Sequence, residues 1–298
     1  MMPPLVSVLM TAYNREKYIG EAIESVLASS YSNFEFIIVD DCSSDNTVDI
    51  INAFAQKDKR IQIHVNEKNL GQFANRNKAA LLAKGTYLKY FDSDDLMHRD
   101  MLEVMMDGVN KFPEAAFGAV CDWRMLKSDN LPVLFSNREA YINHYFRGCD
   151  ILYAGPSGAI YKTQIFNYFG GFNTEIGTTA DTLLSLQLAS LAPVIAFKSD
   201  LFFWRRHDSQ VSVGQNDFFE MTKERYLLNV TVLMDINCPF SKREVDIVMR
   251  NIKNIFLRKF FKSVVQINSS NKIFHLLKLY DISLSDVLKT MWPNKSIQ

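Results

Sequence analysis

Along the first third of the chain, apolar residues fall in two alternating rhythms. Short β-like runs occur at VSVLM (6–10), FEFIIV (34–39), IQIHV (61–65) and TYLKYF (86–91). Between and after them the spacing changes to three and four. Ile19, Ala22, Ile23, Val26 and Leu27 form one set, and Val48, Ile51 and Phe54 a second. Phe73, Ala80 and Leu81 form a third, and Met101, Leu102, Met105 and Val109 a fourth. Such spacing places each set on one face of a helix. SSDNT (43–47) supplies N-cap candidates for the second helix. Strands alternating with helices predict an α/β fold whose sheet is mostly parallel and doubly wound, with helices on both faces.

Each predicted strand runs out into polar residues: Thr11 to Asn14, Asp40 and Asp41, Asn66 to Asn69, and Asp92 to Asp95. In a parallel sheet these ends share one edge, where open α/β sheets bind ligands. Asp is also a favoured N-cap, so Ser43 to Asp45 and Asp94-Asp95 read equally as helix caps. Capping does not explain Asp92, or why four polar clusters coincide. The crowded carboxylates make sense around a divalent cation, which reverses the local repulsion. Hard oxygen ligands suit Mg2+ or Mn2+, held by one or two protein carboxylates plus substrate phosphates. The chain has neither GxxxxGK[ST] nor GxGxxG, so a metal-bridged diphosphate is the remaining way for this rim to hold a nucleotide.

Composition, at 48% hydrophobic and 22% charged, is that of an ordinary globular protein. The zero net charge hides an asymmetry: residues 242–298 hold eleven Lys and Arg against four acids, which leaves the body acidic. An acidic body argues against nucleic acid as a partner. Cys42, Cys121, Cys149 and Cys238 are far apart, which suggests neither a zinc site nor a disulfide framework. The N-terminus has no charged leader, and LLSLQLASLAPVIAF is broken by Ser, Gln and Pro. The expectation is a cytoplasmic protein, or one peripheral at the cytoplasmic membrane face.

Taken together, VSVLMTAYN, FEFIIVDDCSSDNT and NLGQFANRNKAALLAKGTYLKYFDSDD resemble the inverting family-2 glycosyltransferases of GT-A fold. The resemblance runs on more weakly through GPSGAIYK (155–162), GGF (170–172), TTADTLLSLQL (178–188) and RRHDSQVS (205–212). It implies a nucleotide-binding set of Thr11, Ala12, Tyr13, Asp41, Arg76, Asp92 and Ser93. Thr11 and Tyr13 would flank the base, Asp41 accept from a uracil ring, and Asp92 face the ribose. Asp94 or Asp95 would bind the metal, Mn2+ or Mg2+, with His207 reaching it or the diphosphate. Asp181 matches the general base, although Ala180 stands where a second acid is common and Gln187 where an Arg is common. The implied activity is transfer of one hexosyl or N-acetylhexosaminyl unit from a UDP-sugar to a hydroxyl of a glycan or lipid-linked acceptor. Processive relatives carry membrane spans and QxxRW, whereas this chain has WRRH at 204–207.

The expected division is a nucleotide-sugar half (1–115), an acceptor half of the same domain (116–235) and a basic helical extension (236–298). Trp123, Phe135, Tyr141, Tyr145, Phe146 and Tyr153 crowd the second half, as core or as sugar-stacking surface. In the extension, Val248, Ile252, Ile255, Phe256 and Phe260 share a helix with Arg250, Lys253, Arg258 and Lys262. Such a helix can pack on its own core, pair with a second copy, or lie on an anionic membrane. Two other readings stay open: a sugar nucleotidyltransferase, although Gly20 is the first glycine, and a nucleotide-sugar-binding scaffold that has lost catalysis.

Overall fold

A computed structural model describes residues 5–121, 131–149, 151–207 and 218–264. The chain divides into two compact units, Met1–His207 and Asp208–Gln298.

In the first unit the expected alternation forms. Strands β1 (Val6–Ala12), β2 (Phe34–Asp40), β3 (Ile61–Val65) and β4 (Tyr87–Tyr90) are parallel, in spatial order β3-β2-β1-β4. Helices α1 (Ile19–Leu27), α2 (Thr47–Ala55) and α3 (Gln72–Leu82) make the crossovers. Every residue of β2 is buried, which explains why FEFIIV reads as a continuous apolar run. On α1, Ile19, Ala22, Ile23 and Val26 are all fully buried, as their spacing predicts.

The chain then adds β5 (Leu96–Met97), α4 (Met101–Lys111), β6 (Phe117–Cys121), β7 (Val133–Phe135) and α5 (Asn137–Phe146). These are followed by β8 (Ala159–Lys162), α6 (Thr163–Tyr168), α7 (Ala180–Leu191), β9 (Val194–Lys198) and β10 (Phe202–Phe203). The sheet extends past β4 in the order β8-β6-β9-β7, and β5 pairs with β10 in a separate antiparallel ribbon. Strand β8 runs antiparallel to both β4 and β6, so the parallel half ends at β4.

Three local expectations change. Leu81 is 85% exposed, because α3 turns Asn75 and Arg76 inward beside Phe73 and Ala80. Asp94 and Asp95 cap nothing: β5 stands between them and α4, whose N-cap position is Asp100. Before α2 the N-cap position, Asn46, makes no side-chain capping bond; Asp45 instead accepts the Thr47 N–H at 3.0 Å. Among the aromatics of the second half, Tyr141 is core and donates to the Leu186 carbonyl at 3.0 Å, whereas Phe146 and Tyr153 are exposed. Trp123 lies outside the described residues. All four cysteines are free thiols.

The second unit contains α8 (Phe218–Leu233) and α9 (Lys242–Val264). Val248, Phe256 and Leu257 of α9 are buried, and Phe256 stacks on Tyr226 with ring centroids 4.8 Å apart. Part of the apolar stripe therefore packs within the unit, while Ile255 remains exposed. The basic residues beyond 264 lie outside the described residues. Among the described residues, no helix is long and apolar enough to cross a membrane.

Candidate active site

The parallel register brings the carboxyl ends of β1, β2, β3 and β4 to one edge, as their polar endings predict. The loops there are laced together. Asp41 N–H donates to the Ala12 carbonyl at 2.8 Å, and Asn66 N–H to the Asp40 carbonyl at 2.9 Å. Asn14, at a positive φ of 52°, accepts the Ser44 N–H on its Oδ1 and donates its own N–H to Ser43 Oγ. At the end of β1, Thr11 is half-buried, Ala12 is buried and Tyr13 is 47% exposed.

Asp41 is buried and well partnered. Its Oδ1 accepts from Asn66 Nδ2 at 2.7 Å and the Leu70 N–H at 2.8 Å, and its Oδ2 from the Gly71 N–H at 2.9 Å. The adjacent NRN segment of α3 reaches three elements. Asn75 Nδ2 donates to the Val39 carbonyl at 3.0 Å, and Arg76 Nη2 to Asp92 Oδ1 at 2.6 Å. Asn77 brackets Phe172, giving Nδ2–H to its carbonyl and taking its N–H on Oδ1. Gly171, at a φ of 80°, leaves room for that bracket, since a Cβ there would meet Asn77 Oδ1 at 2.5 Å.

Asp92 sits where burial opposes ionisation, yet Arg76, Ser157 and Lys89 outweigh it and hold the carboxyl below its usual range. About a third of its side chain (32%) still faces solvent. Ser93 and Asp95 are buried. Asp95 Oδ1 accepts the Arg205 N–H at 3.1 Å, while its Oδ2 is enclosed with no partner. Burial, then Asp92 and Asp94, push its carboxyl up to about 7. Asp94 Oδ2 lies 3.1 Å from His207 Nε2 and 3.2 Å from Arg15 Nε. Tyr18 stacks on the His207 ring at 4.3 Å.

On the other side of Arg76, Asp181 occupies the first turn of α7. It is not the cap: Thr179 holds the N-cap position, and no side chain makes a capping bond there. Asp181 Oδ1 accepts the Thr182 N–H at 2.7 Å. Burial pushes its carboxyl above the usual range against the pull of Arg76, with Asp92 adding to the rise. Arg76 is buried, and the two carboxylates Asp92 and Asp181 together keep it firmly protonated despite desolvation. Arg76 therefore lies in the field of both the rim and the candidate base. Gly155, at a φ of 66°, lines the same place, with its Cβ position 4.0 Å from Asp181 Oδ2.

Two residues of this site carry no sequence signal. Arg15 is one. Lys89 is the other, wholly buried within β4, where its Nζ donates to the carbonyls of Tyr90 (2.7 Å) and Ser157. Ser157 Oγ in turn accepts the Asp92 N–H at 2.9 Å. Burial pulls the Lys89 ammonium down to about 7, against Asp92 and Asp95. A lysine inside an apolar strand reads as the polar half of an alternation, which hides it.

Among the described residues, no three His, Cys, Asp or Glu side chains already converge as a metal cluster. The donor set nonetheless fits a hard divalent cation. Asp95 Oδ2 is a buried carboxylate oxygen without a partner, Asp94 and His207 already face one another, and such ions need only one or two protein carboxylates.

Residues 7–169 match the profile of the family described as Glycosyl transferase family 2. A Bacillus subtilis glycosyltransferase assigned to teichuronic acid biosynthesis is 43% identical over 104 residues, 35% of this chain and 41% of the relative. Like the other leading matches, it is matched over about two fifths of its own length. Among solved structures, residues 1–349 of S. aureus TarS in complex with UDP-GlcNAc superpose with a TM-score of 0.66 at 20% identity, covering 84% of this chain and 71% of that TarS fragment. A mannosyltransferase from Pyrobaculum calidifontis, in complex with GDP-Man and Mn2+, gives 0.64 at 14% identity, covering 98% and 88%. At such identities the two structures share the fold with this chain.

Proposed function

The chain belongs to glycosyl transferase family 2, and on that premise we propose that it transfers a single sugar from a nucleotide sugar to an acceptor hydroxyl with inversion. The observation that carries this reading is the line Asp92–Arg76–Asp181. It sets a carboxyl raised above its usual range beside the rim that would bind the donor. An inverting transfer needs a base on the face opposite the leaving group, and a carboxylate with raised proton affinity suits it. In this reading Asp181 takes the acceptor proton while Asp92 and Arg76 order the donor end.

Asp94, Asp95 and His207 would hold Mn2+ or Mg2+, and a bound cation would supply charge stabilisation to the departing diphosphate. Thr11, Ala12, Tyr13, Asp41 and Ser93 would border the nucleotide. UDP-sugars are the first donors to test, since UDP-GlcNAc is what TarS binds. The hydroxyl would belong to a glycan or a lipid-linked acceptor. The test is a panel of nucleotide sugars with Mn2+, followed by proton NMR of the anomeric configuration of the product. Inverted product supports the proposal. Tight donor binding with neither transfer nor hydrolysis would replace it with a binding protein of the same fold.

A further inference from the structure

We infer that Arg15 is the resident counter-cation of Asp94: it holds that carboxylate in the metal-free protein, yields it to a divalent ion, and stays at the rim for the donor's diphosphate. The inference rests on the reading of Asp94 as part of a cation site.

The geometry supplies the competition. Arg15 Nε and His207 Nε2 both face the same oxygen, Asp94 Oδ2, at 3.2 and 3.1 Å. Both side chains of the Arg15–Asp94 pair are largely shielded, at 15% and 13% exposed, so the attraction is weakly screened. A cation that takes this oxygen competes with the guanidinium for it.

Arg15 does not depend on Asp94 for its place. Its Nη1 donates to the carbonyls of Tyr13 (3.0 Å) and Asn14 (3.2 Å), and its backbone N–H to Thr47 Oγ1 at 2.7 Å. The next residue is pinned as well, Glu16 N–H donating to Asp45 Oδ2 at 3.1 Å. When Asp94 turns to another cation, the positive charge of Arg15 therefore remains at the rim. Asp95 provides the contrast: its enclosed Oδ2 has no hydrogen-bond partner to be displaced. An arginine suits the second task, because its planar fork matches phosphate oxygens.

The test measures Mn2+ alone, by the electron paramagnetic resonance of free Mn2+, and inorganic pyrophosphate without metal, by calorimetry. Removing an opposite charge at this distance corresponds to about tenfold in affinity. Arg15→Gln is expected to bind Mn2+ about tenfold tighter and pyrophosphate about tenfold weaker, opposite signs that general loosening of the loop would not produce. Unchanged or weaker Mn2+ binding by Arg15→Gln overturns the inference. Absence of Mn2+ binding by the unsubstituted protein overturns the cation-site reading and this inference with it. A measurement on the unsubstituted protein guards against a variant that fails to fold. The Arg15 Nε–H should lose protection from hydrogen exchange as Mg2+ saturates, and a resonance that keeps its protection overturns the inference.

Discussion

Arg76 gives its Nη2–H to Asp92 Oδ1 at 2.6 Å, and the same guanidinium feels the charge of Asp181 in the first turn of α7. One buried cation thus ties the donor rim to the candidate base. Its partner Tyr90 accentuates the burial, donating its hydroxyl to the Arg76 carbonyl at 3.0 Å from within the core.

Breaking that pair from one side should cost more than removing it whole. Arg76→Met removes the main counter-charge of Asp92 and should destabilise by about 2 kcal/mol, less than a fully buried pair because Asp92 is partly open to solvent and Lys89 remains. Arg76→Met with Asp92→Asn should recover a good part of that loss. Urea unfolding of the double-mutant cycle measures it, and strictly additive single effects would remove the coupling.

Lys89 predicts a slope in stability against pH. Its ammonium titrates near 7 in the fold against 10.5 as its ordinary value. Between those values the unfolded chain binds the extra proton, so stability rises with pH across that window. Lys89→Met should lack the rise, and its stability relative to the parent should fall as pH goes from 7 to 10. Denaturant midpoints at several pH values test this; parallel curves for the two proteins would refute it.

Asp95 predicts the opposite slope on the acid side. Its carboxyl is raised to about 7 from 3.8, so its contribution is fully present below the unfolded value and is lost as pH rises through about 7. A divalent cation should offset the loss by pairing with the ionised form. The thermal shift produced by Mn2+ should therefore be larger at pH 8 than at pH 6, and Asp95→Asn should flatten the difference. An equal shift at both pH values in the parent protein would count against Asp95 as a ligand.

The first half of the fold was legible because each buried parallel strand reads as an apolar run with a polar end, and parallel connection puts those ends together. Leu81 misled because an apolar residue at helical spacing says nothing of which face the tertiary structure uses; α3 spends its inner face on Asn75 and Arg76. Asp92, Asp94 and Asp95 were visible as a cluster, but their different surroundings were not. Those depend on Arg15, Lys89, Ser157 and the Arg205 backbone, which lie up to 110 positions away. Long-range partners of this kind leave no periodic trace. The division at residue 207 also follows from contacts that no local pattern records.

In the second unit the buried part of α9 should govern stability. Phe256 is buried against Tyr226, so Phe256→Ala should destabilise this unit by about 3 kcal/mol, the lower range for emptying a buried aromatic site. Ile255→Ala, on the exposed side, should cost far less. If the order were reversed, the apolar stripe would be facing a partner or a membrane and not its own core. Vesicle binding of the Ile255→Ala protein would then separate those two.

The sharpest expectation concerns Asp181. Its Oδ1 accepts the Thr182 N–H at 2.7 Å, a bond that the Oδ1 of an asparagine can also accept, and the helix does not rely on Asp181 as a cap. Asp181→Asn should therefore fold normally and bind donor and Mn2+ within about twofold of the parent, since the rim residues are untouched. Its transfer rate should fall by about 10²-fold or more, because the amide cannot take the acceptor proton. The parent rate should climb with pH through the raised pKa of this carboxyl, and the variant should lose that limb of the profile. Measured together, the rate and the pH profile distinguish lost chemistry from lost structure. Near-normal transfer by Asp181→Asn would shift the base to another carboxylate. Glu175 is the nearest such residue in sequence, though it stands exposed in a turn where its N–H donates to Asn173 Oδ1 at 2.8 Å.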